Sequence, residues 1–183
     1  MTAPATGTTT SSTRSLLAAR EGVDATATDI GLLIARVGFG GLFAVHGSQK
    51  LFGWFNGYGL EATNAGFDQM GYNPGAFFGT LAGLSELVGG LLLLLGLLTP
   101  LAAAIVLGTT VNILNATWSD GFAMWEMGAL FALAAAALAF TGPGRFSLDH
   151  GRPWARQGVV WGVAAVVLAI VAGVLTLILK AVL

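Results

Sequence analysis

The sequence predicts an all-helical membrane protein that crosses the bilayer several times. Its residues are 55% hydrophobic and only 9% charged, with a mean hydropathy of +0.79, whereas soluble domains carry about 25% charged residues. Five apolar segments also follow one another along the chain. Each has about 18–25 residues, enough to cross a hydrocarbon core of roughly 30 Å at 1.5 Å per residue.

The five predicted spans are residues 30–48, 76–98, 101–118, 123–141 and 158–182. Thr99 and Pro100 separate the second span from the third. Because proline is tolerated in the first turn of a helix, these two residues predict a tight hairpin.

The connection between the first two spans is rich in glycine and aromatic residues. Residues 60–70 are expected to form a short helix along the membrane surface, with Leu60, Phe67 and Met70 facing either lipid or the bundle. This connection is interpreted equally well as a plain linker or as a lid.

The chain divides into three parts on composition. Residues 1–28, rich in Thr, Ala and Ser, are interpreted as a disordered cytoplasmic tail that allows a short helix at residues 15–21. Their composition does not fit a signal peptide. Residues 29–150 are expected to form a four-helix membrane domain, and residues 151–183 an inner loop followed by a fifth transmembrane helix.

Basic residues predict the orientation of the spans. Arg14, Arg20, Arg145, Arg152 and Arg156 fall on one side of a five-span protein, and Lys50 and Lys180 fall on the other. Cytoplasmic loops carry the excess of Lys and Arg. We therefore expect a multi-pass protein with its N-terminus in the cytoplasm and its C-terminus outside.

Polar residues recur on one face of the first span. Arg36, Phe39, Phe43, His46 and Lys50 are separated by 3, 4, 3 and 4 positions, which is the spacing of one helical stripe. Charges at this depth are rare unless they are paired, so the stripe predicts a partner.

The second span offers that partner in Glu86, which is flanked by glycines that allow a neighbouring helix to approach closely. At 1.5 Å per residue, Arg36 lies about 9 Å and Glu86 about 18 Å from the inner boundary. Since the arginine side chain spans much of this difference, an Arg36–Glu86 ion pair is expected, and a ligand-binding role for both is the alternative.

Three further polar residues, Asn112, Asn115 and Glu126, fall in the middle or outer half of the third and fourth spans. The expected arrangement is a polar pocket that opens outward, inside a four-helix bundle with the fifth helix packed outside. The structural alternatives are interhelical hydrogen bonds for the two asparagines and contact of Glu126 with outer water. His46 fits a structural hydrogen bond as well as a proton carrier, and Lys50 is expected to reach its charge towards the interface.

The sequence argues against several other classes of function. It has no cysteine, which excludes a thiolate nucleophile and any cluster held by the chain's own thiolates. No His and carboxylate residues have helical metal-binding spacing, and a net charge of −1 provides no basic field for nucleic acid. We therefore expect no metal, no covalently bound cofactor and no nucleic acid.

Three motifs occur in order along the chain: HGSQKLFG at residues 46–53, ELVGGLLLLLGLLT at residues 86–99 and GPGRFSLD at residues 142–149. Together they resemble the motifs of the DoxX family of membrane proteins. The resemblance implies a bacterial inner-membrane domain with four helices, so the fifth helix departs from it. The resemblance also places five residues at positions of the family's motifs, namely Arg36, His46, Gln49, Lys50 and Glu86. Asp149, in the third motif, is expected to pair with Arg145 or Arg152 or to cap a turn.

The family includes the membrane subunit of a thiosulfate:quinone oxidoreductase, and the resemblance therefore implies a membrane subunit of a quinone-linked redox system. The expected site residues for ligand binding or proton relay are Arg36, His46, Gln49, Lys50, Glu86, Asn112, Asn115 and Glu126. The implied ligand is quinone, and the implied partners besides the lipid bilayer are a redox protein or further copies of the chain.

Two alternatives remain open from the sequence. One is a non-enzymatic scaffold or accessory subunit whose buried charges are structural. The other is a small-molecule transporter, which the absence of an inverted repeat with broken helices disfavours. The sequence leaves enzyme status undecided; an enzyme of this type would be a quinone-linked oxidoreductase subunit that is not active alone.

Overall fold

A computed structural model describes residues 25–183, which form six helices and no strand. They are α1 (Ala25–Phe52, with π-helical geometry over Arg36–Gly40), α2 (Gly59–Gln69), α3 (Gly75–Leu95), α4 (Thr99–Thr117), α5 (Phe122–Thr141) and α6 (Val159–Val182). The expected short helix at residues 15–21, Arg14 and Arg20 lie outside the described residues. Residues 25–28, which were assigned to the tail, begin α1.

Five of these six helices, all except α2, are long and apolar enough to cross a membrane. This confirms the predicted helical class and the five spans. The short surface helix also forms, as α2. Two spans end at glycines with positive φ, Gly53 after α1 and Gly96 after α3, where a left-handed residue terminates the helix. The first span is therefore longer than predicted, and the second ends three residues earlier.

The turn between α3 and α4 defines one end of the bundle, called here the hairpin end. The loop of residues 142–158 between α5 and α6 lies at the same end, and the amides of Leu148 and Asp149 donate to the carbonyls of Leu95 and Gly96. The opposite end, which carries α2 and the α4–α5 turn, is called the α2 end.

Asp149 fixes the start of α4. Its carboxylate, 1% exposed, accepts hydrogen bonds from the amides of Leu98 and Thr99, the Thr99 hydroxyl and the Trp154 indole, at 2.9–3.1 Å. The capping role expected of Asp149 is thus confirmed, and its pairing with Arg145 or Arg152 was wrong. A carboxylate at a helix N-terminus satisfies free amides and also interacts favourably with the helix dipole.

Glycines bring α1 and α3 into backbone contact. A Cβ atom at Gly40 or Gly47 of α1 would overlap backbone atoms of α3, and one at Gly90 of α3 would overlap those of α1. Such small residues are what allow transmembrane helices to approach closely. The two helices run antiparallel, so the middle of α1 lies beside the end of α3 and the end of α1 lies beside the first half of α3.

Helix α6 crosses α4 diagonally. It begins beside α5, where the Gly158 amide donates to the Phe140 carbonyl and Gly162 lies against the Phe140 ring. It then passes over Gly108 of α4 and ends with Lys180 near the loop that precedes α3. Helix α6 therefore contacts α5 at its start, α4 along its middle and the loop before α3 at its end.

Candidate functional site

A cavity of about 450 Å³ lies in the half of the bundle nearer the α2 end. All six helices contribute to its wall, which is mostly apolar. The polar side chains in that wall are His46, Lys50, Tyr72, Ser85, Glu86, Thr109, Asn112, Thr117 and Thr176. An apolar chamber with a few polar groups is the usual form of a small-molecule site.

The charged centre of this cavity is a salt bridge between α1 and α3. Lys50 Nζ lies 2.6 Å from Glu86 Oε2. Glu86 is 2% exposed and the Lys50 side chain is 30% exposed. Because Gly47 and Gly83 let the two backbones approach closely beside this pair, the lysine reaches the carboxylate directly. The expectation that Lys50 would extend towards the interface was therefore wrong.

Arg36 does not join this centre, so the predicted Arg36–Glu86 ion pair was wrong. Its buried guanidinium donates from Nη1 to the Leu94 carbonyl at 2.9 Å and from Nη2 to the Phe146 carbonyl at 2.5 Å. Since α1 and α3 are antiparallel, Arg36 lies level with the end of α3 and Glu86 lies level with Lys50. Arg36 thus ties α1 to the end of α3 and to the loop at the hairpin end.

His46 lies one helical turn before Lys50 and lines the cavity. Its ring meets Phe131 of α5 edge-on, with 5.8 Å between the centroids. The neighbouring Gln49 is not in the cavity wall, and its side-chain amide donates to the Phe55 carbonyl at 3.1 Å. Of the HGSQKLFG residues predicted for the site, the structure therefore places His46 and Lys50 at the cavity.

Asn112 lines the cavity and bridges two helices. Its side-chain amide donates to the carbonyls of Gly108 in its own helix and Gly173 in α6, both at 3.3 Å. The interhelical hydrogen bond expected of Asn112 is therefore confirmed.

Asn115 and Glu126 do not line the cavity, and both are exposed. Asn115 is three positions from Asn112, which turns it about 60° away around α4. Glu126 lies in the first turns of α5, at the α2 end. The predicted gathering of all four polar helices at one pocket was therefore wrong for these two residues.

Tyr72 is a cavity residue that the sequence did not indicate. It lies in the loop before α3, is 2% exposed and packs edge-on against Phe67 and Phe78. Burial raises the pKa of its hydroxyl above the ordinary value, so it stays protonated. Lys180 of α6 lies 3.9 Å from the centroid of its ring. A lone tyrosine in a loop gives no spacing pattern that would have revealed it.

Helix α6 forms part of the cavity wall through Ala172 and Thr176. The expectation that the fifth span only packs outside the bundle was therefore incomplete. Helix α6 crosses α4 towards the loop before α3. It therefore covers the side of the cavity that lies between α3 and α4. Its Lys180–Tyr72 contact is a cation–π interaction at the α2 end of that cover.

The side chains in residues 25–183 do not form a metal site, because no three His, Asp or Glu residues cluster there. A single carboxylate paired with a lysine, beside a histidine and a largely apolar wall, instead suits an organic ligand with hydrogen-bonding groups at one end. Such a site can bind a polar head, donate a hydrogen bond from Lys50 and exchange a proton.

Comparison with known proteins gives one family. The DoxX family model matches residues 31–118, which cover α1 to α4 and include His46, Lys50, Tyr72 and Glu86. No curated protein and no solved structure matches the chain. Helices α5 and α6 lie beyond the matched residues.

Proposed function

Because this chain belongs to the DoxX family, we propose that it is a membrane subunit of a quinone-linked redox system and that its cavity holds the quinone head. The observation that carries the proposal is the buried Lys50–Glu86 pair in the wall of an otherwise apolar chamber. A quinone also has a polar part and an apolar part, which are its ring with two oxygens and its isoprenoid tail.

The size of the cavity supports this ligand class. Sites for small organic molecules measure about 300–1,000 Å³, and the cavity here has about 450 Å³. This volume suits one substituted ring and the first part of a tail, and the rest of the tail would remain in lipid. Aromatic side chains in the wall, such as Phe43, Phe78 and Phe131, offer faces and edges for ring packing.

The charged pair supports the chemistry of the proposal. Reduction of a quinone to a quinol consumes two electrons and two protons. In this proposal Lys50 donates a hydrogen bond to one quinone oxygen. The two protons come from water, and Glu86 and His46 each accept one and pass it to a quinone oxygen as that oxygen gains charge. The electrons come from a partner redox protein, since the chain has no cysteine of its own with which to carry them.

Access to the cavity is proposed to be lateral, from the lipid between α3 and α6. Ala172 and Thr176 cover this side, and the Lys180–Tyr72 contact holds the end of α6 against the loop before α3. A molecule that partitions into the bilayer reaches such an opening without passing through water. The proposed orientation puts the hairpin end in the cytoplasm of a bacterial cell and the α2 end outside.

The test measures quinone binding to purified protein. We expect quinone to be recovered by solvent extraction of the wild type, and a short-chain quinone to bind it at equilibrium. Glu86→Gln should weaken that binding because the proton-exchanging carboxylate is lost and Lys50 loses its partner. Lack of quinone in the extract, together with equal binding by wild type and Glu86→Gln, would contradict the proposal.

Glu126→Gln is the matched control. It removes the same charge from α5, but Glu126 is exposed and lies outside the cavity. Binding by this variant should equal that of the wild type.

A structural role for the buried charges is the second candidate function, and Arg36 favours it. This buried cation is engaged with two backbone carbonyls and holds α1, α3 and the loop of residues 142–158 together. If Lys50 and Glu86 act in the same way in a non-enzymatic scaffold, replacing both with methionine should preserve every measurable activity of the folded protein. Under the quinone proposal, the same folded double variant should not bind quinone.

A further inference from the structure

The loop of residues 142–158 is a rigidly held surface at the hairpin end. Asp149 anchors it to the start of α4, Arg36 binds the Phe146 carbonyl, and the amides of Leu148 and Asp149 bind the α3–α4 turn. Gly142 follows one membrane-spanning helix and Gly158 precedes another. The loop therefore lies at a fixed height, at the boundary between lipid and water.

Each of the three arginines in this loop lies over an aromatic ring. The guanidinium carbons lie 4.7 Å from the Phe146 centroid for Arg145, 5.7 Å from the Trp154 centroid for Arg152 and 5.3 Å from the Trp161 centroid for Arg156. All six side chains are exposed. Stacking on a ring restricts the position of a guanidinium and leaves its edge available for hydrogen bonds. In Arg156, Nη1 donates to the carbonyls of Pro153 and Ala155 at 2.9 and 3.0 Å, and these bonds also hold the side chain in place.

Two of these arginines have no acidic partner within residues 25–183. Arg145 pairs with Asp29 at 3.7 Å, whereas Arg152 and Arg156 form no salt bridge there. Asp149, the acidic residue within the loop, is buried and engaged with α4 and Trp154. The exposed face of the loop therefore presents uncompensated positive charge.

We propose that Arg152, Arg156, Trp154 and Trp161 form a binding site for the headgroup of an anionic phospholipid. Arg152 would bind the lipid phosphate through two parallel hydrogen bonds, and Arg156 would bind it through the N–H groups that do not donate to Pro153 and Ala155. The exposed indole rings would lie among the headgroups, where amphipathic aromatic residues are enriched. This inference does not depend on the quinone proposal, because the site lies at the end opposite α2.

Position favours lipid over a soluble acidic partner. Trp161 lies in the first turn of α6, a helix that is apolar on its exposed faces, so its ring lies within the membrane boundary. A lipid headgroup reaches both tryptophans and both arginines from the side, whereas a soluble protein meets only the water-facing edge.

The experiment compares two lipids of identical acyl chains, phosphatidylglycerol and phosphatidylcholine, bound to the detergent-purified full chain and counted by native mass spectrometry. Wild type should prefer phosphatidylglycerol. Since each basic residue contributes about fivefold to such binding, the Arg152→Gln/Arg156→Gln double variant should lose about 25-fold of the preference. Equal preference in the double variant and the wild type would overturn the proposal.

Three controls sharpen this result. Lys180→Gln removes one positive charge at the α2 end and should leave the preference unchanged; a loss equal to that of Arg156→Gln would contradict a site in this loop. Arg152→Lys/Arg156→Lys keeps the charge, and it should lose part of the preference because a lysine cannot form the paired hydrogen bonds. Inorganic phosphate at the lipid concentration should not displace phosphatidylglycerol, and displacement would contradict a lipid site.

Discussion

Lys50 compensates the buried negative charge of Glu86 within the membrane-spanning bundle. The carboxylate is 2% exposed, and the ammonium 2.6 Å away is the cation that balances it. Removing one member of a buried pair leaves the other charge uncompensated, which costs about 3–5 kcal/mol. We therefore expect Lys50→Met to lower the thermal stability of the purified protein strongly.

The double variant Lys50→Met/Glu86→Met separates this charge effect from packing. It removes both charges and keeps comparable side-chain volume, so it should recover most of the stability lost in Lys50→Met. Thermal unfolding of the wild type, the two single variants and the double variant in one detergent gives the coupling energy. Additive losses would show that the pair is not the stabilising contact.

Loss of the Asp149 carboxylate should destabilise the start of α4. Asp149→Ala removes the cap from the amides of Leu98 and Thr99, and a lost N-cap costs about 0.5–2 kcal/mol. Buried donors left without partners add to this loss. Thermal unfolding should show a clear decrease, whereas Asp120→Ala, at an exposed carboxylate beside Ser119, should unfold like the wild type.

The sequence identified the charged residues of the centre but paired them wrongly. Helical spacing placed Arg36, His46 and Lys50 on one stripe, and in the structure His46 and Lys50 lie in one cavity wall with Glu86. Which cation meets Glu86 depends on the level at which α1 crosses α3. That level is set by the glycine contacts between the two helices, which spacing within one helix does not encode.

The close packing of α1 on α3 should depend on the glycines at their contact. A Cβ atom at Gly47 would overlap the backbone of α3, whereas one at Gly38, in the same helix, meets no atom within 4 Å. We expect Gly47→Ala to push the helices apart, lowering thermal stability and weakening the Lys50–Glu86 contact.

Gly38→Ala is the matched control for that variant. It should be neutral or stabilising by roughly 0.5–1 kcal/mol, because alanine favours a helix over glycine. If both variants unfold at the same temperature, the close approach at Gly47 does not hold the helices together.

The cover formed by α6 gives another prediction. A cation–π contact contributes about 0.5–2 kcal/mol, so Lys180→Ala should raise the rate at which the cavity opens by about two- to thirtyfold. Since the chain has no cysteine, Ser85→Cys in the cavity wall reports opening through its reaction with a small thiol reagent. Lys180→Arg keeps a cation for the Tyr72 ring and should react at the original rate; no acceleration in Lys180→Ala would contradict the fastening role of this contact.

The sequence predicted the helices more accurately than their ends. Apolar length identified all five spans, and the hairpin at Thr99 and Pro100 forms where it was expected. Helix α4 begins two residues before the predicted span, because its cap comes from Asp149, which is 50 positions away in the chain. The diagonal path of α6 was not predictable either, since it depends on small residues of α4 such as Gly108.

At the scale of the whole molecule, five spans place the α4–α5 turn and the loop of residues 142–158 on opposite sides of the membrane. Ser119→Cys and Gln157→Cys report the two sides, since both positions are exposed. In intact cells, a membrane-impermeant maleimide should label Ser119→Cys and spare Gln157→Cys until the cells are opened. The reverse pattern would contradict the proposed orientation.

The charge distribution of the whole chain supports that orientation. The hairpin end carries the exposed arginines of residues 142–158, and the cavity lies towards the other end. A quinone head bound there would meet Lys50, Glu86 and His46 while its tail leaves between α3 and α6. In this arrangement the buried pair binds the polar head and the apolar wall binds the first part of the tail.

Photo-crosslinking tests this account most directly. A photoactivatable quinone with a short isoprenoid tail is bound to the purified chain, irradiated and located by peptide mass spectrometry. We predict labels at the cavity-lining positions within residues 78–86 of α3 and 104–117 of α4, and their loss when unmodified quinone competes. Labels confined to the lipid-facing surface of α6, unaffected by competition, would contradict a quinone site in the cavity.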